Sequence, residues 1–329
     1  MEKVKWGILS TAKIARSQVI PGMQKGEWCE VQAIASRDLD KARTAARELG
    51  IPKAYGSYEE LLADPEIDAI YNPLPNHLHV PWSIKALEEG KHVLCEKPIA
   101  RTAPEALELL EAAEAHPHLR VMEAFMYRFH PQWQHAHDLV REAKIGELRT
   151  IQTFFAYFNE DPDDIRNQAE IGGGGMLDIG CYPVSLSRWL FDAEPRRVLA
   201  KIEFDERFGI DRQTSAILEF ERGTATFTCA TQLPPYQRVS IHGTRGWIEI
   251  EVPFNPPSDS AVRLIQRTGS ETREIHTDPA NHYTLQGDRF SEAVLGHGSV
   301  PTPVDDAVAN MKVIDAVFES AVSDQWVEC

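Results

Sequence analysis

Val4-Lys-Trp-Gly-Ile-Leu9-Ser-Thr-Ala-Lys-Ile-Ala15 is the stretch on which the fold turns. Residues 4–9 are apolar enough for a buried strand and 12–25 carry helical spacing, so the segment reads as strand, tight turn, helix. Working outward, a second strand is predicted at 31–36 (VQAIAS), followed by a charge-laced helix at 39–49. Short strands at 69–72, 92–96 and 119–124 alternate with helices at 80–89 and up to 116. Ser57-Tyr-Glu-Glu60 and Thr102-Ala-Pro-Glu105 are capping boxes, in which a hydroxyl accepts from an N-terminal amide and the acid reaches back. Strands and helices alternating this regularly predict parallel pairing with right-handed crossovers. The outcome is a doubly wound sheet whose ligand site lies at the carboxyl ends of its strands.

The rhythm changes near residue 125. A helix at 131–143 stops at Gly146, and β-rich segments follow at 148–158, 198–204, 214–221, 224–231, 238–242 and 247–252. Arg222-Gly223 and Gly243-Thr-Arg-Gly246 suit hairpin turns, so these strands are expected to form an antiparallel sheet. Helices near 283–295 and 305–322 finish the chain. A length of 329 residues exceeds what one core usually serves. The reading is therefore an α/β chain of two domains, 1–125 doubly wound and 126–329 α+β with a large, mainly antiparallel sheet. The last helix is expected to pack back near the first domain.

Charge and cysteine usage exclude several function classes. Fifty Asp+Glu against 34 Lys+Arg leave a net charge of −16, which repels phosphate backbones, and no Lys/Arg run is long enough to offset it. Five cysteines, scattered and without a C-x-x-C pair, argue against a disulfide framework and a cysteine-rich zinc site. Residues 1–3 run straight into the first strand with no leader pattern, and no apolar stretch suffices to span a bilayer. The expectation is a cytoplasmic protein that binds neither nucleic acid nor membrane.

In the first turn the dinucleotide fingerprint G-x-G-x-x-G falls on Ser10, Ala12 and Ala15, with Thr11 and Ile14 between them. All three glycines are replaced by small residues. Backbone amides at a helix N-terminus can still meet a pyrophosphate, provided that the turn avoids positive φ. At the end of the second strand, where an NAD site usually places Asp or Glu, stand Ser36 and Arg37. A guanidinium there binds a ribose 2′-phosphate. NADP is the expected cofactor, with NAD as the alternative.

Two further segments carry the chemistry. Cys95-Glu96-Lys97-Pro98 sets a lysine at the carboxyl end of a strand, and Gly172-Gly-Gly-Gly175-Met-Leu-Asp178-Ile-Gly-Cys-Tyr182 opens a helix. The glycines allow close backbone approach to a ligand, while Asp178 and Tyr182, at i and i+4, share a helix face. These segments, together with Pro75-Asn76-His-Leu-His79, resemble the Gfo/Idh/MocA oxidoreductase family. The stretches 51–61 and 122–129 look most like its branch of dimeric dihydrodiol dehydrogenases and NADP-dependent D-xylose 1-dehydrogenases.

The resemblance implies a Rossmann domain for the first half. For the second it implies a substrate-binding domain whose sheet is often buried in a homodimer or higher homo-oligomer. It makes Lys97 the lysine beside the nicotinamide and Tyr182 the acid/base; inositol dehydrogenases of the family show D-x-x-x-H instead. Leu74, Asn76, His79 and Glu96 become candidates for the cofactor, with Asn76 and His79 at the nicotinamide ribose or simply in a turn. Tyr127, Arg128 and Arg166 are candidates for the substrate.

The chemistry also follows from the residues. Removing hydride from a carbinol carbon requires the hydroxyl proton to leave to a base, and a free tyrosine, with pKa about 10, is a poor one. An ammonium such as Lys97 favours its phenolate, and Asp178 is suited to orienting substrate hydroxyls. No metal-ligand spacing occurs, and none is needed for hydride transfer with an organic base. The function read here is NADP(H)-dependent hydride transfer to or from a sugar or related polyol or dihydrodiol. The alternatives are an NADPH-dependent keto-sugar reductase and a catalytically silent NAD(P)- or sugar-sensing regulator, against which retention of both Lys97 and Tyr182 weighs.

Overall fold

The computed structural model describes residues 2–329, which fold into two compact units. The first comprises residues up to 126 together with 281–308, and the second comprises 127–280 with 309–329. Where the sequence suggests one cut after residue 125, the chain passes between the units three times.

The first unit is built on β1 (Val4–Leu9), β2 (Cys29–Ala35), β3 (Lys53–Tyr55), β4 (Ala69–Asn72), β5 (His92–Cys95) and β6 (Val121–Glu123). They form one sheet in the order β3-β2-β1-β4-β5-β6, and every pairing is parallel. Strand order reverses between β1 and β4, the position where open α/β sheets leave a crevice. The connections carry α1 (Ile20–Met23), α2 (Leu39–Leu49), α3 (Tyr58–Leu62), α4 (His79–Glu88) and α5 (Ala103–Ala115). Both capping boxes form: Ser57 Oγ accepts from Glu60 N at 3.1 Å and Thr102 Oγ1 from Glu105 N at 3.4 Å. The returning acids reach one residue beyond the expected amide, to Gly56 N and Arg101 N.

The second unit begins with α6 (Pro131–Arg141) and β7 (Leu148–Phe158) and continues through α7 (Cys181–Phe191). Then come β8 (Arg197–Phe204), β9 (Asp211–Phe220), β10 (Gly223–Ala230), β11 (Gln232–Gly243), β12 (Gly246–Ile250), β13 (Val262–Thr268) and β14 (Glu271–Thr277). The chain goes on to α8 (His282–Val294), α9 (Val304–Ser323) and β15 (Val327–Glu328). Nine strands form one sheet, β14-β13-β12-β11-β7-β10-β9-β8-β15. Only the β10–β7 pair is parallel. Both expected hairpins are present, β9–β10 at Arg222-Gly223 and β11–β12 at 243–246.

One face of this sheet is covered. Phe155 meets Tyr182 of α7 with ring centroids 5.8 Å apart, Phe191 stacks on Phe220 at 4.3 Å, and Ala200 N donates to Ser320 Oγ of α9 at 3.0 Å. The opposite face is open. Leu199, Ile217, Phe154 and Tyr236 line a groove there of about 610 Å³, among serines and threonines.

α8 belongs with the first unit for identifiable reasons. Trp6, fully buried in β1, donates from Nε1 to Ser291 Oγ at 3.2 Å. The Asp288 carboxylate accepts from Glu27 N at 3.0 Å and Trp28 N at 2.8 Å just before β2. Among the described residues no helix is long and apolar enough to cross a membrane.

Candidate active site

Each unit presents a cluster of the residues singled out in the sequence. In the first unit the turn after β1 takes a conformation that its residue types do not favour. Ser10 has φ 90°, so the turn does not avoid positive φ as expected. Glycine takes such a φ freely, whereas a residue with a Cβ is strained by it. Part of the strain is offset locally, since Ser10 Oγ accepts from Ala12 N at 3.2 Å. Thr11, Ala12 and Ile14 are half-buried along the turn, and Ala15 is fully buried where the helix meets the sheet. Residues 15–19 form a π-helical turn, a form frequent at functional sites.

At the end of β2, Ser36 is buried and its Oγ accepts from Asp38 N at 3.3 Å. The Asp38 carboxylate is committed to capping α2, accepting from Asp40 N at 3.0 Å and Lys41 N at 3.2 Å. Arg37 is exposed, with its guanidinium against the Tyr58 hydroxyl. One Asp38 oxygen makes both capping bonds, and the residue at the end of β2 is the hydroxyl-bearing Ser36 with the Arg37 cation beside it, a pair whose chemistry can receive a phosphate.

The lysine loop is braced from below. Glu96 Oε1 accepts from Tyr71 Oη at 2.6 Å, and its Oε2 accepts from Lys97 N at 3.2 Å. Ile99 N donates to the buried Glu123 Oε1 at 2.8 Å. Of the two roles open to His79, at the ribose or within a turn, its contacts are those of a structural residue. It is 1% exposed, with Nδ1 2.8 Å from Pro98 O and Nε2 2.7 Å from Leu74 O. A neutral ring donates to only one of these at a time, and burial pushes its pKa down to about 4. His79 thus ties the lysine loop to the loop after β4. Leu74 is itself buried, and Asn76 begins the short helix beyond it. Asn72 fixes that loop as well, donating to His79 O at 3.0 Å and Ser83 Oγ at 3.1 Å.

In the second unit, Met176–Gly180 is a π-helical turn leading into α7. Pro183, with no N–H for the carbonyl four residues back and a ring that crowds it, follows directly. Asp178 lies in this turn and Tyr182 in the first turn of α7. Asp178 Oδ2 accepts from Tyr157 Oη at 2.6 Å and from Arg166 Nε at 3.0 Å. Arg166 also pairs with Asp164 at 3.3 Å. Burial, then the Asp178 charge, raise the Tyr157 pKa far above its ordinary value; the same charge, foremost, raises that of Arg166. Tyr182 is 4% exposed, with its ring centroid 5.0 Å from Phe254 and 5.7 Å from Tyr127.

Tyr127 and Arg128, expected to face substrate, are instead buried supports of α7. Tyr127 Oη lies 2.9 Å from Ser185 Oγ. Arg128 Nη2 donates to Ser185 Oγ at 2.8 Å and Ser185 O at 3.2 Å, spending the guanidinium on the helix that carries Tyr182.

Residues 4–125 match the family described as the oxidoreductase family with NAD-binding Rossmann fold, and 133–249 match the GFO/IDH/MocA C-terminal domain. The chain belongs to the Gfo/Idh/MocA oxidoreductase family. An uncharacterized oxidoreductase of Rhizobium meliloti is 47% identical over 99% of both chains. A D-xylose 1-dehydrogenase (NADP(+)) of Haloferax volcanii is 39% identical over 98% of this chain and 99% of its own. Among solved structures, a 3-ketoreductase from Actinomadura kijaniata in complex with NADP and TDP-benzene superposes with TM-score 0.90 at 29% identity. That match covers 97% of this chain and 98% of the other.

Within this Gfo/Idh/MocA chain, sequence reading passed over three polar groups that shape the clusters. Tyr157 sits in an alternating strand and looks like one more sheet residue. Glu123 ends a short strand, where nothing distinguishes it. Asp211 opens β9 as an ordinary turn acid would, yet it is 3% exposed.

Proposed function

We propose that the protein is an NADP(H)-dependent dehydrogenase that oxidises a CH–OH group of a neutral sugar or related polyol, with an aldose oxidised at C1 as the leading case. The observation that carries this reading is the Asp178 cluster. One carboxylate is held by Tyr157 and Arg166 in the turn that leads to Tyr182, on a chain whose other unit offers Lys97 at the carboxyl edge of a parallel sheet. The relationship to the D-xylose 1-dehydrogenase supports the substrate class, and Ser36 with Arg37, in place of an acid at the end of β2, supports NADP over NAD.

When bound, the nicotinamide supplies the hydride acceptor. Tyr182 Oη takes the proton from the substrate hydroxyl as the C–H bond gives up its electron pair, and the alcohol becomes a carbonyl. Lys97 holds that tyrosine towards phenolate and hydrogen-bonds the reacting oxygen. Asp178 orients a second substrate hydroxyl, its own orientation fixed by Tyr157 and Arg166. Ser10, Thr11, Ala12, Ile14 and Ala15 receive the pyrophosphate and Arg37 the 2′-phosphate. Asn76 lies along the ribose, and Asn72, Glu96 and His79 keep the Lys97 loop in place.

The likeness to the Actinomadura 3-ketoreductase favours a second reading, in which the same groups run in reverse and Tyr182 donates its proton to a keto-sugar. We further infer a homodimer in the reducing cytoplasm, formed through the open face of the nine-stranded sheet. Phe158, Phe204 and Tyr236 are each about half exposed on the second unit, and no disulfide joins the five cysteines. Sedimentation at micromolar concentration tests the dimer, and a monomer mass rejects it.

Absorbance at 340 nm with NADP+ or NAD+ and D-xylose, D-glucose, inositol and a trans-dihydrodiol tests the activity. Signal growth with NADP+ and an aldose supports the reading. Silence in both directions, with NADP+ bound, favours the sensing alternative.

A further inference from the structure

Asp211 is a buried acid for which the proposed reaction has no direct use. It is 3% exposed at the start of β9, and its Oδ2 accepts from Met176 N at 2.5 Å and from the fully buried Thr214 Oγ1 at 3.2 Å. Met176 is the first residue of the π-turn that holds Asp178. The glycine run is folded around this same carboxyl group. Gly174 has φ 118°, and a Cβ there would overlap Asp211 Oδ1; a Cβ on Gly175 would stand 3.2 Å from Asp211 O. A Cβ on Gly173 would meet Arg166 O at 2.6 Å and Gln168 O at 2.8 Å. The glycines therefore make room for the protein's own polar atoms.

The charge at this place is what calls for explanation. Asparagine would cap the Met176 amide without a buried charge, and an acid so placed is disfavoured by desolvation. No cation is among the groups facing it: the Met176 and Asp211 amides and the Thr214 hydroxyl favour the carboxylate, the Asp178 charge on the π-turn opposes it, and the Cys229 thiol on β10 adds no positive charge. Burial, first of all, pushes the Asp211 carboxyl up to about 7. Buried acids with shifted ionisation concentrate where a protein works rather than where it is merely held together.

We propose that Asp211 is a positioning residue for hydride transfer: its buried carboxylate sets the π-turn Met176–Gly180, and through that turn the placement of Asp178 and Tyr182. The inference rests on the roles given to Asp178 and Tyr182 in the proposed function. Its physical signature is a separation of activity from stability. A carboxyl whose folded pKa lies above its unfolded value binds its proton more tightly in the native state. Its contribution to stability is therefore full below the ordinary carboxylate range and is lost as pH rises towards about 7. Above that pH the ionised group weakens the fold while accepting from both Met176 and Thr214.

Asp211→Asn is accordingly expected to keep or raise Tm at pH 8 while lowering kcat about tenfold or more, since small displacements of reacting groups are costly. KM for NADP+ should stay within about twofold, because that site lies on the other unit. Amide hydrogen exchange in peptides covering 174–182 should accelerate while the β1–α2 region is unchanged. Thr214→Val, which strips one of the two donors, should move the same readouts less far and carries the test if Asp211→Asn does not fold. A kcat within twofold of wild type in a folded variant, or a kcat loss that tracks a lower Tm, overturns the proposal. Wild-type inactivity on the sugar panel defeats the proposed function alone. In that event unchanged exchange at 174–182 overturns the role of Asp211, and faster exchange supports it.

Discussion

The turn after β1 carries no glycine at its fingerprint positions, while the turn ahead of α7 carries four in succession. The expectation from composition is that the first turn is relaxed and the second is open to a ligand. The structure reverses both. Ser10 occupies a glycine conformation at φ 90° and holds it with its own hydroxyl on Ala12 N. Gly173 and Gly174 are closed over by the carbonyls of residues 166 and 168 and by the Asp211 carboxyl. Glycine content thus reports where a backbone must pass close to something, and that something can be the protein itself. Absence of glycine does not report absence of strain.

Substitutions at four positions break or sharpen this contrast. The largest effect is expected at the chemical end of the glycine-rich turn. Tyr182→Phe should lower kcat by about 10²–10⁴-fold, the usual worth of general acid–base catalysis, with NADP+ binding intact. Stopped-flow turnover beside fluorescence titration of cofactor checks both halves, and near-wild-type turnover removes Tyr182 from its role.

Next in size is Gly174→Ala, which places a Cβ at positive φ against Asp211. Denaturant unfolding should show a loss of about 2–4 kcal/mol. A loss below about 1 kcal/mol would mean that the run yields easily and that the space is there for a ligand after all.

Arg37→Ala should raise KM for NADP+ about 10- to 100-fold, from loss of a charge-assisted bond, and leave KM for NAD+ nearly unchanged. An equal rise for both cofactors would make Arg37 a general support of the β2 loop.

The smallest effect is at Ser10. Ser10→Gly relieves the strained φ but forfeits the Ala12 bond, so its Tm should stay near wild type. Ser10→Val, β-branched at positive φ, should cost about 1–3 kcal/mol. Equal melting of the two variants would show that Ser10 is under no strain.

Much of the fold is legible in the sequence because both units obey simple periodicities. The bounds of β1, α2, β4 and β7 coincide with their apolar patterns, and both hairpins fall at their glycine turns. β13 and β14 escape notice because their outer residues are charged and exposed and bury too little to show a pattern. β11 extends six residues further back than its apolar run indicates, through Pro234 and Pro235, where the pairing with β7 slips between Gln232 and Tyr236. Proline inside a strand argues against it unless a bulge absorbs the missing donor.

In the candidate site, Lys97, Asp178 and Tyr182 stand out because their segments have distinctive neighbours. The residues that hold them do not. Tyr157 comes from β7, Asp211 from β9 and Glu123 from the end of β6, and each reaches its partner only through tertiary folding. Tyr127, Arg128 and His79 carry polar tips that look available for ligand, and packing commits them elsewhere.

The return of α8 to the first unit has a consequence for how the protein is made. The indole N–H of Trp6 and the amides of Glu27 and Trp28 find their partners only at Ser291 and Asp288. At a synthesis rate of about 5–20 residues per second, the ribosome delivers those partners roughly ten to thirty seconds after residue 125. Until then the nascent nucleotide-binding half emerges with one flank of its sheet uncovered. Such a surface is an obvious client for a chaperone, and residues 127–280 of the second unit must be synthesised before the first can close.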